Sequence, residues 1–460
     1  MDENIIGVQE SGAADELTSE FVASINLALD LNETAEAKNL AQSLHYADLA
    51  DLLENLAHAQ RENLVEALRS EFDPNVLAEL DDTVRERVID QLGLSQVAEA
   101  VAELEIDDAV EVVEELEPQE QREILEALPA GDRTLIEQGL SYPEDSAGRL
   151  MQREVVAVPM DWTVGQAIDY MRDTENLPTD FFDIFLVDPR HIPMGTVPLS
   201  RVMRARREIE LTQVMRKHIK IVPVGMDQEE VAFLFRQRDL ISAPVVDESD
   251  RLVGVITVDD IVDVIDEEHE EDIMRLAGVG EEDDLYSAVI DTMKSRFSWL
   301  LIHLVAAIIA AYVISFFAGT IEEMVALAIL MPIVAAMGGT ASVQTLTVAV
   351  RALAMKELTM ANAYRTIGKE VAVGVLNGAI FAVLIGAVAW GWFGSPALGG
   401  VIGLAIIINL IVAGLAGSSL PILLQRMGFD PAVASSAFLT SITDVVGFYV
   451  FLGLAASLLL

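Results

Sequence analysis

The sequence predicts a multidomain α-helical membrane protein: an acidic front half of short helices and duplicated α/β units, followed by five membrane helices. Three observations carry this reading. The chain has 460 residues, is 52% hydrophobic, and still has a formal charge of −45. These properties separate along it. From Phe297 onward six acids (Glu322, Glu323, Glu357, Glu370, Asp430, Asp444) face five bases (Arg351, Lys356, Arg365, Lys369, Arg426), so nearly all of the negative charge lies before Phe297. The hydrophobic pattern also changes twice, from helical spacing to mixed α/β near Met151 and to unbroken apolar runs near Phe297.

Residues 15–140 read as helix after helix. LADLLENL, VLAEL, RVIDQLGL, VAEAVAEL, AVEVVEEL and EILEALP recur with apolar positions inward and acids outward. This predicts an all-α superhelix or an irregular repeat array, bounded here as residues 1–140. The opening MDENIIGVQESGAADEL has neither a basic stretch nor an apolar core, so no cleavable signal peptide is expected and the front half is expected in the cytoplasm.

Residues 141–270 contain an internal duplication of about 60 residues per copy. In the first copy VVAVPMDWTVGQAIDYM leads to IFLVD (184–188) and MGTV (194–197). In the second, IKIVPVGMDQEEVAFLF leads to APVVD (243–247) and LVGVITVDDIVDVI (252–265). The order strand, helix, strand, strand, helix resembles a tandem pair of CBS domains, a regulatory module. GVITVDD (254–260) fits that signature, and the resemblance implies Thr257 and Asp260 as contacts for a nucleotide ribose, with ATP as the ligand it admits. The first copy has VPLSRV at the matching place.

An acid run follows: Asp259, Asp260, Asp263, Asp266, Glu267, Glu268, Glu270, Glu271 and Asp272. Helical spacing sets Asp260, Asp263, Glu267 and Glu271 on one face. Like charges this close destabilise a helix unless neutralised, and hard oxygen ligands suit Mg²⁺ or Ca²⁺. A solvated acidic surface of the halophilic kind is the plainer alternative. Residues 271–296 are read as an acidic linker and a linking helix, the latter from about 284, entering the membrane directly.

Crossing about 30 Å of hydrocarbon takes roughly 20 apolar residues. Five segments of residues 297–460 qualify: Phe297–Ala318, Met324–Val350, Val371–Phe393, Leu398–Leu424 and Ser435–Leu460. Lys294 and Arg296, then Arg351, Lys356, Arg365 and Lys369, then Arg426 all fall on one side, which is therefore cytoplasmic, with the C-terminus outside. Asp444 is the carboxylate that lies well inside a span. It costs roughly 2.5–3.5 kcal/mol there unless it faces a cavity or a partner. Thr440 shares its face at i, i+4 and Thr443 precedes it directly. Pro332 and the stretch GGTASVQTLT (338–347) loosen the second helix, while Asn377 and Asn409 add amides to the third and fourth. Asp444 is either an ion ligand or the structural partner of a nearby hydroxyl or amide. His303 reads as an interfacial packing residue.

Several functions are excluded or disfavoured. Without cysteine there is no disulfide, thiolate metal site or cysteine nucleophile. The negative field repels nucleic acid and attracts cations. No GxxxxGK[ST] phosphate loop, acid–base pair or nucleophile motif emerges, so neither an enzyme nor an ATP-driven pump is indicated.

The order of six motifs resembles the MgtE family of Mg²⁺ channels over nearly the whole chain: HYADLADLL (45–53), YPEDSAGRLM (142–151), VDDIVDVIDEEHEEDIMRLAGV (258–279), MPIVAAMGG (331–339), LPILLQRMGFDPA (420–432) and LTSITDVVG (439–447). The resemblance implies a homodimer in a bacterial-type inner membrane, with an N-domain, tandem CBS domains, a plug helix and a five-helix pore domain. It implies passive Mg²⁺ uptake, with Co²⁺, Ni²⁺ and Mn²⁺ as further candidate ions. Carried over by motif, Asp444 is the pore aspartate. Asp260, Asp263, Glu268, Glu271 and Asp272 are sensor acids for intracellular Mg²⁺, and Asp107 and Asp108 are their N-domain partners. Gly339, Thr340, Thr440, Thr443 and Asn377 are candidate pore-lining residues. Where the family's second helix has GGN, this chain has Gly338-Gly339-Thr340. Two alternatives stand beside this reading: an ion-coupled secondary transporter, separated by its rate, and a membrane-tethered Mg²⁺ or nucleotide sensor, separated by the absence of flux.

Overall fold

The computed structural model describes residues 17–174, 177–178, 181–280, 286, 288–433 and 436–459. The expectation for the N-terminal 1–16 therefore lies outside the described residues, as do 284, 285 and 287 of the linking helix and both end residues of the fifth span. The chain divides into two units, Met1–Ile265 and Asp266–Leu460.

The first unit opens with short helices running from Ser19–Asp30 to Ala130–Leu140. Their spacing is regular, not irregular. A leucine recurs every twelve residues at 44, 56, 68, 80, 92, 104, 116, 128 and 140, and the seven from Leu56 to Leu128 are buried. Twelve residues are one short helix and its turn, so each leucine enters the core at the same phase. Helices pack largely on the next but one: Tyr46–Asn55 on Asn75–Glu79, His58–Leu68 on Asp82–Leu92, and Ile106–Glu114 on Ala130–Leu140. Burial of each leucine is worth about 1.5–3 kcal/mol.

Polar residues lock these turns. Five positions after Leu56, Leu80, Leu116 and Leu128 stand Arg61, Arg85, Gln121 and Arg133. Arg61 donates to the carbonyls of Leu53, Glu54 and Leu56 at 2.6–3.3 Å. Arg85 donates to Ala78 and Leu80, Gln121 to Val113 and Arg133 to Leu125, Glu126 and Leu128. Each thereby satisfies carbonyls that a helix end leaves without partners.

The duplicated region forms two three-stranded sheets of the same topology. The first joins β1 (Ala157–Pro159), β2 (Asp183–Val187) and β3 (Pro193–Pro198); the second joins β4 (Val222–Pro223), β5 (Ser242–Val246) and β6 (Leu252–Thr257). In each, the first pair is parallel and the second antiparallel. Both copies carry a register shift at the same place, Leu186/Val187 and Val245/Val246. Phe185 and Val187 of one copy pack with Leu252 and Val255 of the other. The acidic helix Val258–Ala277 then runs unbroken for 20 residues.

In the second unit five helices are long and apolar enough to cross a membrane: Thr292–Ser315, within the helix Val289–Ser315, then Ala326–Ala354, Ala363–Phe393, Pro396–Met427 and Ser436–Leu458. They match the five expected spans, but the first and third begin eight residues earlier than the apolar stretches do. Hydropathy marks only what lies in hydrocarbon, whereas backbone hydrogen bonding continues into water. The expected GTIEE connection contains a short helix, Ala318–Glu323. The fourth membrane helix is the central one, buried over 61% of its apolar window against 6% for the first.

Candidate cation sites

Thr440, Asp444 and Gly447 lie on one face of the fifth membrane helix, at i, i+4 and i+7. This face packs on the second membrane helix, where a Cβ at Gly339 would stand 3.0 Å from Thr440 Cγ2. A side chain at Gly339 would press on Thr440, so the glycine lets the two helices lie close here. Thr440 and Thr443 return their hydroxyls to their own helix, donating to Ser436 (2.7 Å) and to Thr440 (2.9 Å). Asp444 is half-buried, and its Oδ1 is enclosed with no hydrogen-bond partner among the described residues. His303, expected to be a packing residue, lies within electrostatic reach of Asp444.

The other expected pore-lining residues separate. Gly339 is buried at the seam, whereas Thr340 is exposed. Asn377 is also exposed and lines a different cleft of about 190 Å³ with Gln344, Thr345 and Glu370, between the second, third and fourth membrane helices.

The expected sensor acids fall into two groups. In the first unit, Asp107 and Asp108 begin the helix Ile106–Glu114, and Asp260 acts on both. Burial, then Asp260, then Asp108 push the Asp107 carboxyl well above the usual range. Its Oδ1 is enclosed and lacks a partner among the described residues. Burial, followed by Glu111, Glu105, Asp260 and Glu79, raises Asp108 to about 7. Glu79 is raised too, by burial and then by Asp263. Glu79, Glu105 and Glu111 were not singled out from the sequence, because their turn of helix reads as an ordinary solvated face.

Asp260 is held locally. Its Oδ2 accepts from the Thr257 N–H (3.0 Å) and hydroxyl (2.9 Å), and Gln152 donates to Oδ1 at 3.4 Å. Burial raises its pKa even against these bonds, which favour the anion. Thr257 and Asp260, the pair expected to meet a ribose, are thus joined to each other.

In the second unit Glu271 pairs with Arg275, and Arg275 also pairs with Asp430 in the connection before the fifth membrane helix. Burial and then Asp430 raise the Asp272 carboxyl, while His269 opposes them. Leu276 packs beside Leu346, Val350, Ala432 and Leu439, at the ends of the second and fifth membrane helices. Glu268 lies on the same helix, three residues before Glu271. Among the described residues no three carboxylates or histidines come close enough together to hold a metal ion.

The family model of MgtE divalent cation transporters matches residues 331–454, that of the MgtE intracellular N domain residues 44–145, and that of the CBS domain residues 147–208 and 211–267. The magnesium transporter MgtE of Thermus thermophilus is 34% identical over 330 residues, covering 71% of this chain and 73% of that protein. The chain belongs to the MgtE family. The MgtE of Enterococcus faecalis is 33% identical over 321 residues, 70% of this chain and 71% of that one. The crystal structure of the cytosolic domain of the Mg²⁺ channel MgtE in complex with ATP is 28% identical and covers 53% of this chain and 99% of that one, with a TM-score of 0.49. The family is one of divalent cation transporters, and this chain is a membrane protein whose five apolar helices follow the intracellular and CBS domains.

Proposed function

We propose that this MgtE chain is a magnesium channel, a homodimer in a bacterial-type inner membrane, through which Mg²⁺ enters passively down its gradient. The N-domain (1–140), tandem CBS domains (141–270) and linker with plug helix (271–296) face the cytoplasm, and the pore domain (297–460) ends outside. Asp444 receives the partly hydrated ion, with Thr440 and Gly339 beside it at the seam and Thr443 on the same helix; Thr340 and Asn377, expected as further lining, lie on other surfaces, Asn377 in the separate cleft. The observation that carries this reading is the enclosed, unpartnered Asp444 oxygen at the glycine seam of the second and fifth membrane helices. An anionic oxygen held at membrane depth without a donor calls for a cation.

Closure follows from the acids. At low cytosolic Mg²⁺, Asp107 and Asp108 repel Asp260 and Asp263, and Glu268 and Asp272 add to the repulsion along the acidic helix, where Glu271 is held by Arg275 until an ion competes for it. At high Mg²⁺, ions bridge these carboxylates and hold the gate shut. One carboxylate pair about 4 Å apart is worth roughly 4 kcal/mol at an effective dielectric of about 20. Driving a gate from 1:99 to 99:1 takes about 5.5 kcal/mol, so a few bridged pairs suffice. ATP is a second ligand for this regulatory part, at Thr257 and Asp260, and Co²⁺, Ni²⁺ and Mn²⁺ are further candidate cargo. A second reading, an ion-coupled secondary transporter, is favoured by His303, a titratable group within reach of Asp444.

Currents across a planar bilayer under a Mg²⁺ gradient decide between the two. Unitary Mg²⁺ currents without dependence on a proton gradient support the channel. Flux at carrier rates that collapses when the proton gradient is removed supports the coupled transporter.

A further inference from the structure

Asn409 is buried at the centre of the fourth membrane helix, 1% exposed. Its Nδ2 donates to the Val334 carbonyl of the second membrane helix at 3.0 Å. The amide also fills the space that two glycines leave. A methyl group at Gly338, on the second helix, would collide with the amide nitrogen. One at Gly447, on the fifth, would stand 2.8 Å from that nitrogen and 3.2 Å from Val334 Cγ1. One amide therefore touches both helices. Asp444 lies on the fifth helix between the two points at which it is held, one turn after the Thr440–Gly339 contact and one turn before the Gly447–Asn409 contact.

Packing does not account for this residue. Asn409 Oδ1 is enclosed and has no hydrogen-bond partner among the described residues. An apolar side chain at this position would enclose no polar atom and incur no such desolvation penalty. The second helix carries Pro332 two residues before Val334, which removes one backbone hydrogen bond from this part of the helix. Mg²⁺ binds oxygen at about 2.0–2.1 Å in near-octahedral geometry, whereas Ca²⁺ takes about 2.3–2.6 Å and tolerates irregular shells. The stricter octahedral shell makes Mg²⁺ more sensitive than Ca²⁺ to where a single carboxylate is held against its remaining waters.

We propose that Asn409 is a positioning residue for Asp444: its amide sets the separation of the second and fifth membrane helices and thereby selects Mg²⁺ over larger divalent cations. The inference rests on the reading of Asp444 as the ion-binding carboxylate.

The test uses the full-length protein in proteoliposomes, with Mg²⁺ and Ca²⁺ as separate probes. Asn409→Leu is expected to raise the half-saturating Mg²⁺ several-fold and to lower the Mg²⁺/Ca²⁺ flux ratio, because the bond that ties the second helix to the fourth is lost. Gly338→Ala is expected to act in the same direction by displacing the amide. Asn409→Ala combined with Gly338→Ala, in which the added methyl fills the vacated space but no amide reaches the Val334 carbonyl, is expected to keep both quantities shifted as in Asn409→Leu; their recovery would make Asn409 a packing residue and overturn the proposal. If Asn409→Leu fails to assemble, Gly338→Ala and the double variant decide. Equal loss of Mg²⁺ and Ca²⁺ flux at unchanged half-saturation would make Asn409 a packing residue and overturn the proposal. Wild type without divalent flux, or Asp444→Ala with normal flux, refutes the channel reading itself and this inference with it.

Discussion

Replacing Asp108 by asparagine isolates the electrostatic cost on which the proposed sensor depends. The carboxyl is raised from about 3.8 to about 7 by burial and by Glu111, Glu105, Asp260 and Glu79. An acid whose pKa is higher folded than unfolded contributes stability that is complete below the unfolded pKa and is lost as pH rises through the folded one. The full shift corresponds to about 4 kcal/mol. The part lost between pH 6 and 8 is about 1.4 kcal/mol from Asp108, with Asp107 moving the same way. Hydrogen exchange of the helix Ile106–Glu114 in the intact protein, corrected for intrinsic rates, reads this as the free energy of local opening. At low Mg²⁺ the wild-type helix is expected to open more readily at pH 8 than at pH 6 by about that amount. Millimolar Mg²⁺ is expected to protect it more at pH 8, where it competes with fewer protons. In Asp108→Asn the helix should be more protected at pH 8 without Mg²⁺, and both the pH slope and the Mg²⁺ effect should shrink. A wild-type opening energy that is flat from pH 6 to 8, or a variant with the same slope, would show that these carboxyls do not carry the cost assigned to them.

Two further outcomes are expected. Leu80→Ala removes one of the twelve-residue leucines, 1% exposed, and should destabilise the N-terminal helices by about 2–5 kcal/mol in denaturant-dependent hydrogen exchange, with adjacent helices affected most. Arg275→Ala removes the guanidinium shared by Glu271 and Asp430, so the Mg²⁺ concentration that halves the flux should rise; an unchanged value would mean that this ion pair takes no part in closure.

The five spans were legible because hydrocarbon imposes a length and an apolar run that no soluble helix of this chain imitates, and the duplicated strands because their residues alternate within short bounded runs. Helix ends were less so: the first membrane helix begins at Val289, where the chain is still polar, and hydropathy is silent about backbone continuity. The leucine period was present in the letters but hidden while each helix was read by its own face; Arg61, Arg85 and Arg133 at a constant offset show that the unit is the helix with its turn. The sites were legible in part. Asp444 stood out as a charge in an apolar run. Its surroundings did not, since Gly339, Asn409 and His303 come from three other helices and only packing assembles them. Asp107 and Asp260, more than 150 residues apart, were paired only through the family resemblance. The partners Glu79 and Asp430 carried no local signal.

The most direct test of the account is Mg²⁺ uptake into proteoliposomes, wild type beside Asp444→Ala, with Mg²⁺ varied on the side of the intracellular domains. The account predicts uptake by wild type that closes as that Mg²⁺ rises, and none by Asp444→Ala at any concentration. Normal uptake by Asp444→Ala, or wild-type uptake indifferent to Mg²⁺ on the sensor side, would contradict it.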